Sequence, residues 1–114
     1  MDNRLNEALA FANYRLTLQV QRQNIEARVN AALIVSYQNA IFKSTQTLIT
    51  FVGLRAARAE KLLVEDNSGN VIQIENPNEF LTALLTAYDS AMELKQQELQ
   101  KLKSARSTAK IVGL

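Results

Sequence analysis

The chain has 114 residues, a formal net charge of +2, and neither histidine nor cysteine. Without these residues it has no disulfide, no thiolate metal ligand, and neither the commonest general base nor the commonest metal ligand of enzymes. A hydrophobic share of 47% and a charged share of 21% fit one soluble domain. Because histidine and cysteine are both absent, we expect a non-enzymatic protein that holds no metal and no cofactor.

The first half of the chain has few helix-breaking residues. Residues 2–61 contain no proline and one glycine, Gly53, which predicts a single long helix over residues 3–61. At about 1.5 Å per residue, this helix would be a rod of roughly 90 Å. The polar run at residues 43–47 leaves open whether the rod is continuous, kinked or broken there.

Five apolar residues repeat at spacings of three and four near the start of this helix, which places them on one narrow face. They are Leu5, Leu9, Ala12, Leu16 and Val20. The other faces carry mainly Asn, Gln and Arg. Such a thin stripe is typical of a coiled-coil seam rather than of the core face of a globular domain.

Between residues 31 and 54, apolar residues cover most of the circumference of the predicted helix. Lys43 is the one charged residue in this segment. A helix that is apolar nearly all round must be buried on several sides. We therefore predict that this region is central to contacts within or between subunits, through Leu33, Ile34, Tyr37, Ile41, Leu48, Phe51 and Val52. Its length could also span a bilayer, although its many Ser, Thr, Asn and Gln residues make it too polar for a lone transmembrane helix.

Two β-branched runs surround a Gly-containing turn at residues 67–70, which predicts a β-hairpin over residues 62–75. Its apolar residues Leu63, Val71, Ile72 and Ile74 exceed what two isolated strands can hide. Since a lone hairpin is marginal in water, we expect this one to dock on a neighbouring chain or to add to a partner's sheet.

The segment Asn76-Pro77-Asn78-Glu79 has the pattern of a capped helix start and predicts a second helix over residues 77–107. Its heptad spacing adds Leu85, Tyr88 and Met92 to the predicted interface. A hairpin between two helices predicts a shorter C-terminal helix, antiparallel to the first and covering about half of it.

The C-terminal end is basic, through Lys101, Lys103, Arg106 and Lys110. These side chains leave open a contact with nucleic acid or a membrane. No aromatic residue is interleaved among them, so a solvated helix end is the commoner explanation.

The sequence as a whole predicts a mainly α fold with one small β-hairpin, built as a helical hairpin in a single elongated domain over residues 1–114. The predicted function is a structural subunit of a homo-oligomeric assembly, for which a neck, tail or internal protein of a bacteriophage virion is a concrete example. The alternatives are a small adaptor or chaperone that binds a client helix through residues 31–54, and a membrane-active pore-forming oligomer. Residues 1–4 open no apolar run, so we expect no secretory signal and a cytoplasmic or virion-associated protein.

Overall fold

A computed structural model of the protein describes residues 3–58 and 61–111, and for residues 106–111 it describes the backbone only. Within the described residues, three helices and two β-hairpins follow one another. In order they are α1 (Asn3–Ala32), β1 (Ile34–Tyr37), β2 (Ala40–Lys43), α2 (Gln46–Ala57), β3 (Leu63–Glu65), β4 (Val71–Gln73) and α3 (Pro77–Ile111). The predicted mainly α class with a small antiparallel hairpin is confirmed.

The predicted extent of the first helix is wrong. The helix stops at Ala32, and residues 34–43, which the sequence pattern placed in its middle, form a β-hairpin. A separate helix, α2, then starts at Gln46, inside the polar run where a break had been left open. Because α1 ends early, it has 30 residues, and α3 with 35 residues is the longer of the two.

The first hairpin closes with a two-residue turn at Gln38 and Asn39. Both residues have positive φ, +50° and +61°, which is the arrangement of a type I′ turn. The strands pair in the register Val35–Phe42 and Tyr37–Ala40. This register places those four side chains on one face, and it turns Ile34 and Ile41 to the other.

Hydrogen bonds made by Ser44 and Thr45 fix the connection between this hairpin and α2. Ser44 is fully buried, and its Oγ donates a hydrogen bond of 2.6 Å to the Leu84 carbonyl in α3. Its backbone N–H donates to the Leu33 carbonyl over 2.8 Å, which extends the hairpin by one pair. Thr45 caps α2, because its Oγ1 accepts the Leu48 N–H at 3.1 Å.

The predicted second hairpin is present, with β3 and β4 paired in the register Val64–Ile72. Its loop is held by Asp66, whose Oδ1 accepts the N–H groups of Ser68 and Asn70, both at 2.9 Å. Gly69 has a φ of +85°, which L-residues rarely adopt. Asp66 and Gly69 therefore both serve the turn between the strands.

The two hairpins are joined by hydrogen bonds between their edges. The Gln38 side chain donates from Nε2 to the Gln73 carbonyl at 3.0 Å, and its Oε1 accepts the Glu75 N–H at 2.9 Å. The Asn67 N–H donates to the Ile41 carbonyl at 2.8 Å. Gln38 thus satisfies the outer edge of the second hairpin in the way that a neighbouring strand would.

The predicted start of α3 is confirmed. Asn76 Oδ1 accepts the Glu79 N–H at 3.2 Å, while the Asn76 amide donates to the Glu79 carboxylate at 3.3 Å. Pro77 occupies the first helical position, where a missing N–H costs nothing. Glu79 also places a negative charge at the positive end of the helix dipole.

The hydrophobic core lies between the inner faces of both hairpins, α2 and the first half of α3. Phe80 is at its centre, with ring centroids 4.8 Å from Phe42 and 5.0 Å from Tyr37. The other buried members are Val35, Ala40, Val52, Leu62, Val64, Ile74 and Leu84. This core explains why two short hairpins, each marginal alone, are stable.

The chain divides into two compact units. One unit contains residues 1–29 and 93–114, which supply most of α1 and the second half of α3. The other contains residues 30–92, with both hairpins, α2, the first half of α3 and the core described above. The expected single elongated domain stays a prediction.

The turn at Asn39 can be tested by comparing how two substitutions change the free energy of unfolding. At a φ of +61°, Asn39→Gly should keep or raise the free energy of unfolding, whereas Asn39→Ala should lower it by about 1 kcal/mol. A helix at this position would give the opposite order, because Ala favours and Gly disfavours a helix. Urea unfolding followed by circular dichroism measures both, with Asn6→Ala in α1 as a control that should be neutral or slightly stabilising.

The core position of Phe80 can be tested by truncation. Phe80 is fully buried, so Phe80→Ala should lower the free energy of unfolding by about 3–5 kcal/mol. Phe51 in α2 is an exposed matched control, and Phe51→Ala should cost about 1 kcal/mol or less. Equal losses in the two variants, measured by urea unfolding, would contradict this core.

Candidate interaction surfaces

In the unit formed by residues 1–29 and 93–114, one face of α1 packs on α3. Ile25 and Val29 of α1 are buried, as is Leu102 of α3. An open groove of about 270 Å³ lies along this contact, lined by Ile25 and Arg28 on one side and by Glu98 and Leu102 on the other. The covered face of α1 is therefore the one that carries Leu18, Ile25 and Val29, and it is covered only towards the C-terminal end of the helix. Leu18 is half-buried, and Phe11 on the same side is 58% exposed.

Ion pairs border this contact. The Arg28 guanidinium donates to both carboxylate oxygens of Glu98, at 3.0 and 3.4 Å, and Lys101 lies 3.7 Å from the same carboxylate. Lys95 and Glu26 form a second pair between the helices at 3.1 Å. The bidentate Arg28–Glu98 pair adds directional specificity, while pairs this exposed contribute little to stability.

A second apolar face of α1 is uncovered. It consists of Leu5, Leu9, Ala12, Leu16 and Val20, which we call the outer stripe. Its four large members are between 45% and 59% exposed. At about 100° per residue, the outer stripe lies roughly 160° around the helix from Leu18, Ile25 and Val29. The sequence-based seam is therefore the face of α1 opposite the one that packs on α3.

The outer stripe is also uncharged. The charged residues of segment 3–24 are Arg4, Glu7, Arg15 and Arg22. At about 100° per residue, all four lie roughly 100° or more from the middle of the stripe. Nearer the stripe, the polar side chains are amides, such as Gln19 and Gln23. A surface with this distribution can meet an identical surface without opposing like charges.

The predicted interface residues are divided among three environments. Leu33, Val52 and Ile74 are buried within the chain. Tyr37, Leu48, Ile72, Tyr88 and Met92 are half-buried, and Ile34, Ile41, Phe51, Leu63 and Leu85 are exposed. The predicted set therefore does not form one helix face.

The predicted helix face from Ile34 to Phe51 is wrong because its first half is a hairpin. In the strands, side chains alternate between the two faces, so Ile34 and Ile41 point away from the core while Val35 and Phe42 enter it. Sequence reasoning missed Phe42, Phe80 and Leu84 as core residues. An alternation from Val35 to Phe42 around Gln38-Asn39 was the available signal for the first two strands.

Tyr37 lies at the edge of the core. Its hydroxyl donates to the Asn76 carbonyl at 3.3 Å, and its ring contacts Phe80. Burial raises the pKa of the Tyr37 phenol, and the negative charges of Glu79 and Glu75 raise it further. The phenol acts here as a structural hydrogen-bond donor to the backbone.

The second hairpin docks within its own chain. Val64 and Ile74 enter the core, and Gln38 and Asn67 join the hairpin to the first one. Docking on a neighbouring chain stays a prediction for the outer face, where Leu63 and Val71 are exposed.

The outer face of α2 is a smaller apolar surface. Phe51 and Leu54 are exposed there beside Thr47 and Thr50, and together they line an open depression. The Arg55 guanidinium lies 5.2 Å from the Phe51 ring centroid, a cation–π contact that partly covers the ring.

The basic residues of α3 are only partly described. Lys101 and Lys103 are exposed, and Lys101 pairs with Glu98. The side chains of Arg106 and Lys110 lie outside the described residues. Contact with nucleic acid or lipid stays a prediction.

Two kinds of site are absent from the described part of the chain. Within it, no group of acidic side chains is arranged to hold a metal ion. Among residues 3–58 and 61–111, no helix combines the length and apolar character needed to cross a bilayer.

No protein-family model matches the chain, and no curated protein or solved structure shows significant similarity to it.

The covered face of α3 can be tested with two leucines of the same helix. Leu102 is 7% exposed, and Leu102→Ala should lower stability by about 2–4 kcal/mol, because the deletion leaves a cavity. Leu99 is 40% exposed, and Leu99→Ala should cost less than about 1 kcal/mol. Thermal unfolding compares the two, and a larger loss for Leu99→Ala would show that α3 packs through the other face.

Proposed function

We propose that the protein is a non-enzymatic structural subunit that assembles with copies of itself through the outer stripe of α1. The observation that carries this proposal is an apolar, uncharged stripe, opposite the covered face of α1, whose large side chains are about half exposed. Exposed apolar side chains in a row are a characteristic of protein–protein contact surfaces.

The chemistry of the outer stripe supports a second copy as its partner. Symmetric assemblies use the same patch on both subunits, which must be self-complementary. An apolar stripe without formal charge meets this condition, whereas a stripe with charges would favour a partner of opposite sign.

The size of the stripe bears on the strength of the contact. Four large apolar side chains per copy, over about four helical turns, are fewer than an obligate interface buries. We expect a dissociation constant in roughly the micromolar range, so that a stable assembly needs many such contacts or further surfaces. The exposed faces of the hairpins, with Ile34, Ile41, Leu63 and Val71, are available for that purpose.

The setting of the assembly is a separate question. A bacteriophage virion component was suggested by a rod over residues 3–61, together with the small size of the chain and its lack of catalytic residues. Since that segment contains α1, a hairpin and α2, the rod no longer supports this setting, and the proposal is confined to self-assembly.

A second candidate function is the adaptor that binds a client helix. The observation in its favour is the outer face of α2, where Phe51 and Leu54 line an open depression. Only part of the predicted 31–54 surface belongs to this face, because the hairpin residues before it are not helical.

One substitution tests the proposed contact. Leu16→Asp should weaken self-association by roughly 100-fold or more, since burying an unpaired carboxylate costs several kcal/mol and each 1.4 kcal/mol is tenfold. Sedimentation equilibrium over a range of protein concentrations measures the dissociation constant. Leu16 is 59% exposed, so the fold should be unaffected, and circular dichroism checks this.

Leu54→Asp is the matched control. Leu54 is 62% exposed on α2, so the same change is made at similar exposure on the other surface. Self-association should be unchanged in this variant. Dissociation by Leu54→Asp but not by Leu16→Asp would move the contact to α2, and a parent chain that is monomeric at all concentrations would refute self-assembly.

A further inference from the structure

We infer that two copies of the chain pair through the outer stripe in antiparallel orientation, with the two-fold axis passing between Ala12 and Asn13. This inference rests on the proposed function and adds to it the geometry of the contact. The reasons are the symmetry of the stripe, the charge at the start of α1 and the spacing of the apolar residues.

The outer stripe reads alike in both directions along the helix. In an antiparallel pair centred between residues 12 and 13, Leu9 of one copy faces Leu16 of the other, and Leu5 faces Val20. Every large apolar residue of the stripe then meets another one, as it also does in a parallel pair in register, so the ends of the helix decide between the two orientations. Ala12 lies next to the axis, where its small side chain lets the two helices approach closely.

The charge at the start of α1 favours antiparallel over parallel pairing. The N-terminal end of the helix dipole is positive, and the charge of Arg4 in the first turn is offset by that of Asp2 just before the helix. A parallel pair in register would place two such ends side by side. In the antiparallel pair, residue 4 lies level with residue 21 of the other copy, so the two ends are roughly 25 Å apart along the axis.

The spacing of the stripe fits straight helices. Leu5 and Leu16 are eleven residues apart, as are Leu9 and Val20. An eleven-residue repeat corresponds to about 3.67 residues per turn, close to the 3.6 of an undistorted helix. Leu5 and Ala12, like Leu9 and Leu16, are also seven residues apart, so over this length the stripe stays on one side of α1 with or without slight supercoiling.

Because the chain contains no cysteine, single cysteines can map the pairing directly. The variants Leu9→Cys and Leu16→Cys are oxidised under mild conditions, each alone and in an equimolar mixture, and the disulfide products are identified by mass. Ala12→Cys serves as the control for contact, since residue 12 lies near its own copy in both orientations. Sedimentation equilibrium of the parent chain is measured in parallel.

The antiparallel pair predicts that the mixed disulfide exceeds either self-disulfide by roughly tenfold. Same-site pairs at residue 9 or 16 would lie about 10 Å apart along the axis, while a disulfide needs Cα atoms within about 7 Å. Efficient self-linking of each variant alone would overturn the orientation and leave the proposed function standing. An oligomeric parent whose Ala12→Cys variant does not cross-link would overturn the outer stripe as the contact, and a monomeric parent would overturn the proposed function as well.

Discussion

The fold of residues 30–92 depends on the two-residue turn at Gln38 and Asn39. The positive φ of both residues reverses the chain and brings Phe42 beside Val35, on the face that packs on Phe80. The Gln38 side chain then uses both ends of its amide to hold the edge of the second hairpin. Without this turn, the apolar residues from Leu33 to Val52 would have no common surface to bury.

Short elements are held in this core by side-chain hydrogen bonds to the backbone. Thr45 and Asn76 satisfy the first N–H groups of α2 and α3, and Asp66 satisfies two N–H groups in the loop of the second hairpin. Ser44 is fully buried and donates to α3. Each bond replaces water at a backbone group or a buried polar atom, and leaving such a group unpaired would cost about 1–3 kcal/mol. These bonds explain how strands of three and four residues remain ordered.

Helix α1 has a different design, because it has two apolar faces. One face carries Ile25 and Val29 and is buried, with ion pairs to α3 along its border. The opposite face, the outer stripe, is uncharged and exposed. A helix with a single apolar face is satisfied by one packing partner, whereas a helix with two opposed faces has room for a second. This difference is the physical basis for proposing self-assembly.

The local signals in the sequence were sufficient for some elements. The cap at Asn76 with Pro77 and Glu79 predicts the start of α3, and the turn residues around Gly69 predict the second hairpin, because each depends on the backbone of neighbouring residues. The thin stripe from Leu5 to Val20 likewise follows from helical spacing. For the first hairpin two local patterns compete: the alternation from Val35 to Phe42 fits two strands, while the seven-residue spacing of Ile34, Ile41 and Leu48 fits a helix. Gln38 also has a positive φ, but unlike glycine a glutamine in the sequence does not indicate one.

Only the tertiary structure decided between helix and hairpin at residues 34–43, and which face of α1 is covered. In the hairpin, Val35 and Phe42 reach Phe80, which lies some forty residues further along the chain, and Gln38 reaches Gln73 and Glu75. The local patterns do not show which residues elsewhere in the chain these side chains will contact. These contacts outweigh the helical preference of the segment because burying an aromatic side chain is worth more than the few tenths of a kcal/mol by which residues differ in helix propensity.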